Sequence, residues 1–243
     1  MKKVASFLFA AALIAGWQTT QAADITGTVT LKGTPPPERT IEYDDTCSKL
    51  NPPIPATRWY VVGPNNGLKD VFVYISKGLE GKKFPVPTEP IEILQEGCNF
   101  MPYVSGAMIG QTVRFKNLDP VLHNIHGMPK VDGNQEFNFA QTSQGEVNDT
   151  KWTQSITKPE VLVKVKCDVH PWMFAYVGVL DHPFFAVTDK DGHFKIANVP
   201  PGTYTLTAYH LKANGATPGV SQEITVENAP VTADFTVEVP AAK

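Results

Sequence analysis

Long uninterrupted apolar or helix-forming stretches are almost entirely missing from this chain. Proline (21) and glycine (18) cut its 243 residues into short runs, too short for long helices and suited to strands joined by tight turns. A basic surplus is missing too: 21 Lys and Arg stand against 24 Asp and Glu, which leaves no electrostatic footprint for nucleic acid. Cysteine is scarce, with three residues, so a small domain held together mainly by disulfides is excluded. What remains is ordinary globular usage, 42% hydrophobic and 19% charged, in a chain long enough for one large or two small domains. An all-β protein is the expectation.

The N-terminus is the exception to the short runs. Lys2 and Lys3 precede an apolar stretch from Val4 to Trp17, and small and polar residues follow as far as Ala22 and Ala23. That order is the pattern of a secretory signal peptide over residues 1–23, cut after Ala22 or Ala23. The apolar run is shorter than the roughly 20 residues a helix needs to span a bilayer, and no later segment is long and apolar enough. A periplasmic or secreted mature chain without a membrane span is therefore expected, with 19 basic and 24 acidic residues and a net charge near −5.

Beyond the signal the pattern divides in three: an N-terminal β segment (24–88), a central unit (89–182) and a C-terminal unit (183–240). Ile25 to Leu31 alternates apolar and polar with period 2, Val71 to Ile75 is a second apolar run, and Asn51-Pro52-Pro53-Ile54-Pro55 between them reads as loop. The central unit offers short strands at Ile91 to Leu94, Cys98 to Val104 and Gly110 to Asn117. Asp132 to Trp152, rich in Asn, Gln and Ser, reads as a long surface loop. Val161 to Cys167 is the clearest strand, and its alternation places Val161, Val163, Val165 and Cys167 on one face. Phe174 to Leu180 follows, and an extended chain puts Met173 on the face of Val177 and Val179. In the C-terminal unit, Ala186 to Thr188 and Phe194 to Ile196 flank the turn Asp189-Lys190-Asp191-Gly192 as an expected hairpin. Neither 24–88 nor 183–240 has enough strands to close a core, so the two are expected to share a sandwich.

The chemistry concentrates at Cys167, His170 and Met173, spaced Cys-x2-His-x2-Met between two strands. A thiolate, an imidazole and a thioether within seven residues are ligand types suited to copper in both oxidation states. A trigonal set needs one more imidazole, and Asn117-Leu118-Asp119-Pro120-Val121-Leu122-His123-Asn124-Ile125-His126 supplies a candidate. In an oxidising compartment the odd cysteine needs a reason. Cys167 has that ligand context, which leaves Cys47 and Cys98 as the expected disulfide.

Residues 90–182 resemble a cupredoxin, nearest in loop spacing to amicyanin and pseudoazurin-like blue copper proteins. The residues that carry the resemblance are Phe100-x-Pro102, Gly110-x-x-Val113-x-Phe115-x-Asn117, His123-Asn124 and Cys167-x2-His170-x2-Met173. The resemblance implies a Greek-key barrel and one mononuclear type 1 copper held by His123, Cys167 and His170, with Met173 as weak axial ligand. It also implies that Asn124 braces the cysteine loop, that His126 is a neighbour and no ligand, and that an edge of His170 near the surface passes the electron. Val161, Val163 and Val165 would form the apolar wall around the sulfur. Gly27 to Gly33, Thr188 to Phe194 and Val199-Pro200-Pro201-Gly202-Thr203-Tyr204 resemble the two ends of a carboxypeptidase regulatory-like β-sandwich. The combination is similar to exported bacterial proteins of the methylamine utilisation or plastocyanin-like kind.

The expected function is single-electron transfer between redox protein partners, with no enzymatic activity. The alternative is a periplasmic copper-binding module without an electron-transfer role. A multicopper oxidase or copper nitrite reductase needs further histidine ligands, whereas Lys166 and Asp168 flank Cys167 and the chain holds six histidines in all.

Overall fold

Short runs of alternating burial write strands along nearly the whole computed structural model, which describes residues 21–50, 52, 56–212 and 219–241. In chain order the strands are β1 (Ala23–Lys32), β2 (Phe72–Lys77), β3 (Ile91–Gln95), β4 (Phe100–Met101), β5 (Val104–Met108), β6 (Val113–Asn117), β7 (His123–Met128), β8 (Phe137–Gln141) and β9 (Val147–Asn148). After the one-turn helix α1 (Lys151–Ser155) come β10 (Glu160–Lys166), β11 (Phe174–Leu180), β12 (Phe185–Val187), β13 (His193–Val199), β14 (Gly202–Tyr209), β15 (Val220–Val226), β16 (Val231–Thr232) and β17 (Phe235–Glu238). The fold is all-β, as composition and periodicity predict. Residues 1–20 of the proposed signal peptide and most of the Asn51 to Pro55 loop lie outside the described residues.

The strands form two pairs of facing sheets. In one pair, β1 lies between antiparallel β13 and the parallel strands β16 and β17, and the opposing sheet runs β12-β2-β14-β15. Each sheet thus takes one strand from the N-terminal segment and the rest from beyond residue 184. The shared core includes Ile25, Val29, Leu68, Val73, Ile196 and Leu206. Neither stretch could cover these apolar faces alone. The second pair, of orders β5-β11-β10-β7-β8 and β4-β3-β6-β9, encloses Ile93, Phe115, Ile125, Val163, Val165 and Val177.

The two units meet through bare backbone. Gly106 of β5 and Gly178 of β11 are paired in register. A Cβ at Gly178 would lie 2.3 Å from the Phe72 ring, and one at Gly106 would lie 2.4 Å from the Phe185 ring. Only glycine admits an aromatic ring that close to a strand.

Three sequence expectations need correction. The polar stretch from Asp132 to Trp152 is not a bare loop, because it contains β8, β9 and the start of α1. Phe137 and Phe139 anchor β8 against β7, with Ile125 paired to Phe139 and Gly127 to Phe137. The runs around Asp189 are not a hairpin: β12 pairs with β2 and β13 with β1, so the turn carries the chain from one sheet to the other. The Asp189 carboxylate accepts from the Asp191 and His193 amides at 2.9 Å each. Finally, Val161 leaves the buried row. Leu162 has φ 61° and the pairing with β11 shifts between Glu160 and Val163, a bulge that turns Val161 and Leu162 towards the sandwich while Val163, Val165 and Cys167 stay in the barrel core.

Candidate metal centre

Strand pairing carries the four expected ligands to one end of the barrel. β10 pairs with β7 on one side and β11 on the other, with Lys166 opposite both His126 and Phe174. The start of β7 presents His123, and the residue after β10 is Cys167. The chain then makes a tight loop in which Met173 N donates to His170 O at 2.9 Å and Cys167 N to Met173 O at 3.2 Å. Cys167, His170 and Met173 share this loop as their spacing predicts, and all four residues are buried.

The donor atoms converge. His123 Nδ1 and His170 Nδ1 are 3.0 Å apart, and His170 Nδ1 is 3.6 Å from Cys167 Sγ. All three atoms lie within 4.8 Å of one another. His123 Nε2 donates to Asp119 Oδ2 at 2.8 Å, which fixes the proton on that nitrogen and turns the Nδ1 lone pair towards Cys167 and His170. Two imidazole nitrogens and one thiol facing a common point fit a copper ion of mixed nitrogen and sulfur coordination. Met173 is packed in the same apolar cluster as Cys167.

The electrostatics favour a thiolate. Burial alone would raise the Cys167 thiol, but hydrogen bonds from His123, His170 and the backbone amide of Asn124 outweigh it and bring it down to about 6. Asn124 N stands 3.4 Å from the sulfur, and Asn124 Oδ1 accepts from Asp168 N at 2.9 Å. Asn124 therefore ties the start of β7 to the cysteine loop, the bracing that the resemblance implies. Asp119 lies low for a carboxylate although burial would raise it, because it accepts from His123 and from the Cys98 and Gly97 amides. Burial would lower His123, and its bonds to Asp119 and Cys167 reverse that and raise it.

His126 is held away from the ligand group. Its Nδ1 is 2.9 Å from Asp168 and its Nε2 is 2.5 Å from Glu136. His182, His193 and His210 lie in the sandwich unit, His182 and His210 buried and His193 exposed.

The expected surface edge of His170 is not found, since the residue is 3% exposed. Two long-range pieces and the neighbouring Trp172 cover it. The Cys47–Cys98 disulfide, with a Cα separation of 5.8 Å, brings its sulfurs within 4.8 Å of a ring nitrogen of His170. Asp44 Oδ2 lies 3.7 Å from His170 Nε2, while Asp44 Oδ1 holds the Cys47 amide at 2.7 Å. Trp172 packs on the His170 ring at 5.4 Å and donates from Nε1 to Cys98 O at 3.0 Å, with Tyr43 edge-on to it at 5.1 Å. Sequence reasoning missed Asp44, Tyr43 and Asp119 as parts of the site. The signal for Asp119 was available in its place four residues before His123; that for Asp44 and Tyr43 was not, because it depends on the bridge.

One family model matches part of the chain. Residues 171–238 match the family model of the carboxypeptidase regulatory-like domain, from the last strand of the barrel through most of the sandwich. No curated protein matches the chain. Similar solved structures include a copper-containing nitrite reductase from Thermus scotoductus, 22% identical over 44% of this chain with a TM-score of 0.33. This chain spans 26% of that protein's length. A purple cupredoxin from Nitrosopumilus maritimus is 25% identical over 37% of this chain and 98% of its own, with a TM-score of 0.30. An oxidized amicyanin variant is 20% identical over 37% of this chain and 81% of its own, with a TM-score of 0.31. The family match agrees with the carboxypeptidase regulatory-like resemblance read from the C-terminal stretch.

Proposed function

We propose that this chain is an exported type 1 copper protein that passes single electrons between redox partners and catalyses no reaction of its own. The observation that carries the reading is the convergence of His123 Nδ1, His170 Nδ1 and Cys167 Sγ on one buried point. His123, Cys167 and His170 would hold the copper, with Met173 as the fourth, weaker ligand. When bound there, copper would supply a one-electron couple between Cu(I) and Cu(II). The protein's part is to keep the ligands still and the site dry. Asp119 fixes the His123 ring, Asn124 fixes the cysteine loop, and Val163 and Val165 wall the sulfur with apolar surface. Among the described residues no helix is long and apolar enough to cross a membrane, in keeping with a mature chain that acts in the periplasm or outside the cell.

The cover over His170 also favours a second reading, a copper-holding module without electron transfer, because a buried ring with no exposed edge retains an ion well. Under the electron-transfer reading the route from solvent runs through Trp172 and Tyr43, which close over that ring. The first test is the visible spectrum of the copper-loaded protein. An intense thiolate-to-copper charge-transfer band is expected, abolished by Cys167→Ser. A band that survives that substitution refutes the site.

A further inference from the structure

Beside the cover lies a cleft that the copper reading does not use. It has a volume of about 400 Å³, and its walls include Arg39, Arg58, Trp59, Tyr103, Trp172 and Phe174. That volume falls in the range of small-molecule sites, about 300–1,000 Å³. Four aromatic rings and two guanidinium groups make an unusual wall for a cleft with no assigned role.

Among the described residues neither arginine of the cleft has a carboxylate at ion-pair distance. Arg58 stands 4.2 Å over the Tyr103 ring and reaches only the Phe100 carbonyl at 3.4 Å and the Met101 sulfur at 3.5 Å. Arg39 lies 5.0 Å over the Trp59 ring. The nearby acids do not fill the gap. Glu38 is occupied by Thr57 and by the Trp59 and Tyr60 amides. The buried Asp70 acts on Arg58 through its charge without an ion pair at contact distance, and Glu42 lines the cleft as its single acid. A half-buried guanidinium over an aromatic ring still has N–H groups to offer a planar oxyanion, and the ring faces that Arg39, Arg58, Lys164 and Lys212 leave uncovered can take a flat ring by stacking.

We infer that this cleft is a binding site for a small aromatic carboxylate, its carboxylate on Arg58 and Arg39 and its ring between the aromatic walls. Trp172 touches both the cleft and His170, so under the proposed function an occupant sits one indole away from the copper ligand. The binding itself does not depend on that reading.

The test uses the mature full-length chain free of copper, so that its failure is distinct from failure of the copper site. Titration with 2-naphthoate, followed by calorimetry and tryptophan fluorescence, should show one saturable site. Naphthalene-2-methanol, which lacks the charge, and cyclohexanecarboxylate, which lacks the flat ring, should each bind at least about tenfold more weakly. Arg58→Met should weaken naphthoate at least about tenfold, and Arg58→Lys should recover part of the loss. Should Arg58→Met fail to fold, the exposed Arg39→Gln replaces it, with a loss of a few-fold expected. No saturation up to about 10 mM, equal affinity for the neutral alcohol, or an acidic non-aromatic peptide binding more tightly than naphthoate would each overturn the inference.

Discussion

The two units are built from the same kind of strand and bury different interiors. The sandwich core is almost wholly apolar, and apart from Thr207 within β14, buried polar side chains such as His182, Thr188 and His210 sit at strand ends and turns. The barrel buries a connected polar chain at its ligand end. Gln95 donates to Gln141, Gln141 donates to Phe115 O at 3.1 Å, and Asn117 Nδ2 donates to Val121 O at 2.9 Å. Asn117 Oδ1 then accepts from Asp119 N at 2.9 Å, and Asp119 holds His123. Buried polar groups of this density are costly unless nearly all are paired. Here they end on a proposed ligand, a concentration of paired buried polar groups that the sandwich core does not show.

The contrast should show first in the bridge. Opening Cys47–Cys98, which are 51 residues apart, should destabilise the barrel by about 4 kcal/mol on the chain-entropy account. A Cys47→Ser/Cys98→Ser double variant should therefore unfold at much lower denaturant concentration and expose His170 to a water-soluble imidazole reagent. An unchanged reactivity of His170 would mean that the cover does not depend on the bridge.

The join between the units comes next. Gly178→Ala places a methyl where the Phe72 ring lies, so the ring must move or the units must part, at a cost of about 3 kcal/mol. Limited proteolysis should then cut between residues 180 and 185 faster than in the parent protein. An equally resistant variant would show that the aromatic slot does not hold the units together.

Acid should separate them as well. Burial is the main cause that pushes His210 down to about 4 and lowers His182. In both, the unfolded chain takes up protons that the folded one refuses, so this stability is complete above pH 6.5 and falls away in acid; for His210 it is lost as pH falls towards 4. For His210 the loss is roughly 2 kcal/mol by pH 5. Denaturation at pH 7 and pH 5 should show that slope, and His210→Asn should flatten it. A slope untouched by the substitution would place the acid sensitivity elsewhere. The smallest of these effects concerns Asp119→Asn, which keeps the shape but weakens the hold on His123. Copper affinity should fall at least tenfold, about 1.4 kcal/mol, with little change in sandwich stability.

How far the sequence disclosed this arrangement follows from range. Cys167, His170 and Met173 were legible because their spacing is local, and Val163 and Val165 because alternation is. The bridge was legible by elimination among three cysteines. β8 was hidden because Phe137 and Phe139 stand alone among polar residues, and their burial depends on β7. The bulge at Leu162 has no local signature, since leucine at positive φ is held there by its surroundings. The cover over His170 was illegible for the same reason: Tyr43 and Asp44 meet the ligand loop from more than 120 positions away.

The most direct test of the central claim is a coulometric titration of the copper-loaded protein with simultaneous visible spectroscopy. The account predicts one electron per bound copper, the charge-transfer band bleaching on reduction and returning in full on reoxidation over repeated cycles. A copper that binds without the band, or that loses it irreversibly on the first reduction, would contradict an electron carrier.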